Sequence, residues 1–161
     1  MLLYTAGVVL VLAALAVGTM LFNRAPLWKP PGPWARITAY LTTNVAETSD
    51  HAARPELRTP RYAVDGAILF RCVGDAVVQL GWRLEDRNPR AGTLAAVVRT
   101  PLWHFRDDVT VTILAPPDGG SALHVRSASR VGRGDLAANT RHVLDLLDAV
   151  RECLAAPGAG R

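Results

Sequence analysis

The sequence predicts an α+β fold: an N-terminal transmembrane helix followed by a two-layer sandwich of a four-stranded antiparallel sheet and two helices. Three observations carry that expectation. The chain opens on a long uncharged apolar run, two later stretches repeat apolar residues at helical spacing, and between them lie short alternating segments punctuated by turn residues.

Residues 1–22 contain no charged side chain and are dominated by Leu, Val and Ala. At about 1.5 Å per residue, roughly 20 apolar residues cross the hydrocarbon core of a bilayer. A cleaved signal peptide carries a basic start, a shorter apolar stretch and a small-x-small cleavage site. This run has no Lys or Arg ahead of it, and apolar residues continue past Ala16-Val17-Gly18, so a retained single-pass anchor is expected. Arg24, Lys29 and Arg36 follow the helix and no basic residue precedes it. The positive-inside rule then puts the domain on the cytoplasmic side of the inner membrane. Cys72 and Cys153 fall in expected helices and agree with that side, because a small exported domain more often carries a paired framework.

Residues 23–36 form a juxtamembrane collar. Pro26, Pro30, Pro31 and Pro33 prevent the anchor helix from continuing, and Trp28 and Trp34 suit the headgroup level. The globular domain is residues 37–161. It begins with an irregular lead-in over 37–63, where Pro55 and Pro60 interrupt any helix. A helix is expected over 65–80, with Ile68, Cys72, Ala76 and Leu80 as its apolar stripe, Asp65 as its cap and Gly81 after its end.

Four strands follow, at 82–86, 93–100, 109–114 and 121–129. Val109, Val111 and Ile113 alternate with Thr110 and Thr112, and Pro116-Pro117-Asp118-Gly119-Gly120 closes a hairpin. The last helix is expected over 135–155. Leu136, Val143, Leu147, Val150 and Leu154 line its buried face, and Pro157-Gly158 ends it. Both helices are expected on one sheet face.

The net charge of +4 comes from 17 Arg and one Lys against 14 acids. Nucleic-acid binding calls for a basic stripe interleaved with exposed aromatics. These arginines are scattered among acids, so no nucleic-acid partner is expected, whereas an anionic membrane surface suits the charge.

The densest polar region joins Phe105-Arg106-Asp107-Asp108-Val109 to Val125-Arg126-Ser127-Ala128-Ser129-Arg130-Val131-Gly132-Arg133-Gly134-Asp135, with Asn139 and Arg141 beyond. On these residues the chain resembles the family called domain of unknown function 1499. That family's pattern runs Phe-x-Asp-Asp-Val, then Arg-Ser-x-Ser-Arg-x-Gly-x-x-Asp, then a Gly, an Asn and an Arg. The resemblance spans about 43–149, including Pro55-Glu56-Leu57 and Gly81-Trp82. Ala137 stands where the family usually has Gly, Thr112 where a basic residue is common, and Asn44-Val45 where Asn-Cys is frequent. Many members carry an N-terminal hydrophobic segment, so the resemblance implies membrane-linked work but no mechanism.

Within the cluster, Asp107 and Asp108 are adjacent, and adjacent strand residues face opposite ways, so they are not expected to converge on one atom. Arg126 and Arg130 offer planar forks to a carboxylate or a phosphate, with pairing to Asp107 or Asp108 the simpler use. Asp135 is expected to cap the last helix. His124 shares a face with neither Ser127 nor Ser129, and His51, His104 and His142 lack ligand spacing, so no nucleophile–base pair and no metal site stand out. Trp103-His104-Phe105 forms either a plug over the sheet or an exposed patch.

The chain is therefore expected to be no enzyme and to need no cofactor. It reads as a non-catalytic accessory or assembly subunit of a larger membrane protein complex, photosynthetic or respiratory, with membrane lipids and other subunits as partners. The alternative is a membrane-anchored domain that binds an anionic or lipid ligand through the Arg126/Arg130 region, with Asp107, Asp108, Asp135 and Asn139 completing the cluster.

Overall fold

A computed structural model describes residues 1–156. The expected stop at Pro157-Gly158 lies outside the described residues. Helix α1 spans Leu2–Phe22. Its segment Tyr4–Phe22 is the one described helix long and apolar enough to cross a membrane, with a mean hydropathy of 2.3 and 11% of the window buried. The last turn of α1 is not free of the domain. Thr19 and Met20 are buried, and Asn23 Nδ2 donates to the Leu136 carbonyl at 2.9 Å.

The collar is more ordered than its prolines suggested. Helix α2 runs Pro33–Thr42, with Pro33 in the first turn where its missing N–H is harmless. Inside it, Arg36 is fully buried and donates to both Glu56 oxygens at 2.6 and 3.0 Å, to the Lys29 carbonyl and to the Tyr40 hydroxyl. Arg36 is thus a structural clamp from α2 to the 3-10 turn Pro55–Leu57, not a charge presented to headgroups.

Helix α3 spans Gly66–Gln79, and the Asp65 carboxylate accepts from the Ala67 N–H at 2.7 Å as a cap. Its buried face is broader than the four-residue stripe, taking in Leu69, Phe70, Val73 and Val77 beside Cys72 and Ala76. Gly81 holds φ +68, which lets Trp82 N–H reach back to the Val77 carbonyl.

The sheet has six strands rather than four. The expected ones are β3 (Arg83–Asn88), β4 (Thr93–Arg99), β5 (Arg106–Leu114) and β6 (Ser121–Ser129), a continuous antiparallel meander. Two short strands, β1 (Val45–Glu47) and β2 (Arg61–Tyr62), lie in the supposed irregular lead-in and pair with opposite ends of β6. At three and two residues they are too short to show a period. They matter because they cover the outer edge of β6, while the other edge, β3, is exposed and charged.

Helix α4 (Ala138–Ala155) packs with α3 over one sheet face. Val109, Val111, Leu123, Val125 and Leu94 from the sheet meet Leu69, Val73, Val77, Val143, Leu146 and Val150 in one core. Cys72 and Cys153 are joined in a disulfide with Cα atoms 5.6 Å apart, so they tie α3 to the last turn of α4. The pairing removes the argument for a reducing compartment that their separate placement suggested.

Candidate functional site

The site grows out of the helix-facing side of the sheet. On β5 the inward residues are Asp107, Val109 and Val111; on β6 they are Leu123, Val125, Ser127 and Ser129. Cross-strand register sets Asp107 between Val98 of β4 and Ser129 of β6, and Val109 between Ala96 and Ser127. The apolar row therefore turns polar at one end of the sheet, the end nearest α1.

The polar groups there are mostly satisfied. Ser127 Oγ, fully buried, donates to Asn139 Oδ1 at 2.6 Å. Asn139 Nδ2 donates to Ser129 Oγ and to the Asn44 carbonyl, each at 2.8 Å. Asp135 accepts from the Ala137 N–H at 2.9 Å and the Asn139 N–H at 3.1 Å, so it does bond the first turn of α4, from just ahead of the helix.

Asp107 is the exception. It is fully buried, and neither carboxylate oxygen has a hydrogen-bond partner of ordinary geometry. Across the layers, His142 Nδ1 lies 3.5 Å from Oδ2. Burial raises the carboxyl above its usual range; the Ser129 hydroxyl works against that, and the charges of Asp135 and Asp108 add to it. Burial, with Arg141 next to it, pushes His142 down to about 4, so the ring is neutral at pH 7 and offers Asp107 no charge.

Asp107, Ser127 and His142 together resemble a catalytic triad in composition only. The same ring nitrogen faces both partners, at 3.4 Å from Ser127 and 3.5 Å from Asp107, and Ser127 is sealed from solvent. A relay needs the two ring nitrogens on different partners and an accessible nucleophile.

Above this floor lies a cavity of about 320 Å³, within the range of small-molecule sites. Three pieces wall it: Thr19 and Asn23 at the end of α1, the β4–β5 loop with Leu102, Trp103 and Phe105, and the β6–α4 loop with Val131. Asp107, Ser129 and Asp135 line it as well. Leu102, Trp103 and Phe105 are about half exposed, so the segment of open alternatives is a rim of apolar side chains around an opening. Gly134 makes the wall possible: a Cβ there would collide with the Leu41 carbonyl, and the neighbouring Asp135 and Leu136 N–H groups bond the Tyr40 carbonyl.

The other cluster residues are elsewhere. Asp108, Arg126 and Arg130 sit on the outward face of the sheet. Arg130 forks onto Asp108 with contacts of 2.6 to 3.0 Å, and both are nearly half exposed. Arg126 approaches Glu47 of β1 at 3.7 Å, not either aspartate of β5. The fold thus splits the expected cluster: Asp107 and Asp135 line the cavity, Asn139 is buried beside them, and Asp108, Arg126 and Arg130 face solvent.

Ser127, Ser129 and His142 were not among the expected site residues. The signal for the serines was parity, since they continue the inward face of Leu123 and Val125. For His142 it was helical spacing, with Asn139 and Leu146 on the same side of α4.

An α+β domain that follows an N-terminal apolar helix, with a cavity between the end of that helix and the polar end of the sheet, defines the class. Within that class, the family model described as a protein of unknown function (DUF1499) matches residues 40–150. The chain belongs to that family. No curated protein matches it.

Proposed function

We propose that this chain is a membrane-anchored binding domain that holds an amphiphile at the bilayer surface, without transforming it. One observation carries the reading: an apolar cavity abuts the last turn of the spanning helix and is floored by a buried acid with no bonded partner. A buried, unpaired carboxylate is costly, and such groups are tolerated where binding uses them. The site moves from the outward Arg126/Arg130 face to the inward Asp107 face.

The test is purification of the full chain in mild detergent, followed by mass spectrometry of the lipid that accompanies it. Val131→Trp, at an exposed rim position, should obstruct the cavity and lose that lipid without lowering the melting temperature. Equal lipid on both proteins would reject the cavity as the site.

The reading takes α1 as a retained anchor, supported by the packing of Thr19 and Met20 and by the Asn23–Leu136 bond, contacts that a cleaved leader would leave behind. It also takes the domain to lie on the oxidising side of the membrane. The Cys72–Cys153 disulfide supports that side, and the burial of Arg36 takes away one of the three flanking charges that favoured the cytoplasm. Protease added outside intact spheroplasts should then remove the domain.

A second reading, the accessory or assembly subunit, rests on α1. A Cβ at Gly7 or Gly18 would meet nothing within 4 Å, which leaves room for close packing by another spanning helix. A constant partner in native gels of mild-detergent extracts would support it; migration alone would not. No feature of the fold favours a photosynthetic complex over any other.

A further inference from the structure

We propose that the domain makes a second contact with the bilayer, in which Leu102, Trp103, Phe105 and Val131 dip into the headgroup layer and Arg99 and Arg106 behind them meet anionic phospholipid. The proposal shares the retained anchor α1 with the reading above but needs no occupant in the cavity.

Position comes first. Tyr4–Phe22 covers about 28 Å at about 1.5 Å per residue, close to the thickness of the hydrocarbon core. The anchor therefore has no length to spare, and Thr19, in its last turn, lies at the boundary between chains and headgroups. Thr19 and Asn23 line one cavity with Leu102, Trp103, Phe105 and Val131. The buried Met20 and the Asn23–Leu136 bond hold the domain at that height. Both rim loops are thus level with the headgroups.

The loop between β4 and β5 is built to present its tip. The Thr100 N–H donates to the Phe105 carbonyl at 2.9 Å, and the Thr100 hydroxyl accepts from the Phe105 N–H at 2.9 Å. That closure holds 101–104 as a tight turn. The four apolar side chains of the two loops are 47% to 69% exposed, so the core does not use them. An apolar patch with a basic border suits a membrane interface, and tryptophan favours that depth.

Charge names the lipid. Arg99 and Arg106 lie directly opposite each other across β4 and β5, on the sheet face turned away from the cavity, and both are exposed. Like charges so placed repel. Among the described residues neither has an acid partner, whereas Arg130 in the next strand forks onto Asp108. Arg133, exposed in the other rim loop, has none either. An anionic leaflet offsets this repulsion and attracts each arginine near its surface. A second copy of this chain, itself at a net charge of +4, fits the border less well.

The experiment uses the full chain in vesicles, with a fluorescent label on the thiol introduced by Trp103→Cys. Both native cysteines are in the disulfide and do not take the label. The vesicles hold phosphatidylcholine alone or mixed with phosphatidylglycerol, and nitroxide groups on their acyl chains quench a label that reaches them. The label at position 103 should be quenched strongly with phosphatidylglycerol and less without it. A label placed by Arg90→Cys, in the turn at the far end of the sheet, should stay unquenched. Arg99→Gln/Arg106→Gln should lower the ratio of immersed to free loop by about tenfold on phosphatidylglycerol vesicles. It should not lower the melting temperature.

An unquenched label at position 103, in a chain that floats with the vesicles, would overturn the contact and leave the cavity reading to its own lipid test. Equal quenching in both vesicles and in the double variant would overturn the anionic partner. Shielding of the label that disappears as the chain is diluted in lipid would put a second copy on the tip and overturn the contact as well. A chain that floats with neither vesicle would overturn the anchor, and both readings with it.

Discussion

Asp107 and Ser129 are direct partners across β5 and β6: Ser129 Oγ accepts from Asn139, and its hydroxyl holds the Asp107 carboxyl down against burial, yet neither Asp107 oxygen has a hydrogen bond of ordinary geometry. That one mismatch separates the cavity floor from an ordinary buried polar network. Ser127, Ser129, Asn139 and Asp135 close a circuit from β6 to the first turn of α4, and Asp107 stands beside it as surplus charge.

His142 sets how the fold answers acid. It touches Asp107 and Ser127, its ring meets Trp82 edge-on at 5.9 Å, and Arg141 precedes it. Its folded value near 4 lies below the ordinary 6.5, so its neutral form favours the folded state above 6.5, and that stability is lost as pH falls towards 4. The loss should reach about 3 kcal/mol between pH 6.5 and 4. Denaturant melts of His142→Asn across that range should be correspondingly flatter.

The disulfide should be a measurable brace. It closes a loop of 81 residues of sequence separation, so reduction or the Cys72→Ala/Cys153→Ala pair should lower stability by about 2–4 kcal/mol. Thermal melts with and without a reductant check this. In cells, both thiols should resist alkylation until reduced.

Arg36 and Glu56 should be the most sensitive pair. Burial alone would raise the Glu56 carboxyl, but the Arg36 bond and charge outweigh it and hold the value below the usual range. Glu56→Gln leaves a fully buried guanidinium short of its counter-ion and should cost about 3–5 kcal/mol. Because the folded value is depressed, the pair stabilises above the ordinary carboxyl range and weakens as pH falls through it. Chemical denaturation at neutral pH and at pH 3 should show the penalty shrinking in acid.

The meander, the two packed helices and the apolar anchor were legible because each is long enough to display its period. β1 and β2 were not, since two or three residues carry no alternation, and α2 was hidden by prolines that turn out to start a helix. Asp107 and Asp108 were correctly expected to face apart, but which one faces inward depends on where β5 begins. It begins at Arg106, ahead of the first clearly alternating residue, Val109. The cavity was out of reach of the sequence because its walls come from three distant segments. Just ahead of α4, Ala137 holds a φ of +71, the left-handed conformation that glycine adopts without strain. Ala137→Gly should therefore stabilise the domain by about 0.5–1 kcal/mol, measured by melting temperature.

The last prediction concerns the buried charge of Asp107. Its folded carboxyl value is raised, so the folded state prefers it protonated, and each step in pH from the ordinary carboxyl value up through the raised one takes stability away. Wherever it is ionised, the carboxylate carries a cost that a neutral amide of the same shape avoids. Asp107→Asn should therefore melt at a higher temperature than the wild type at pH 7, and the gap should close as pH falls to the ordinary carboxyl range, where both side chains are uncharged. A higher melting temperature for the amide would show that core packing alone does not account for the acid at this position. If Asp107→Asn instead melts lower at pH 7, the carboxylate has a stabilising partner within the protein, with the Ser129 hydroxyl the first candidate.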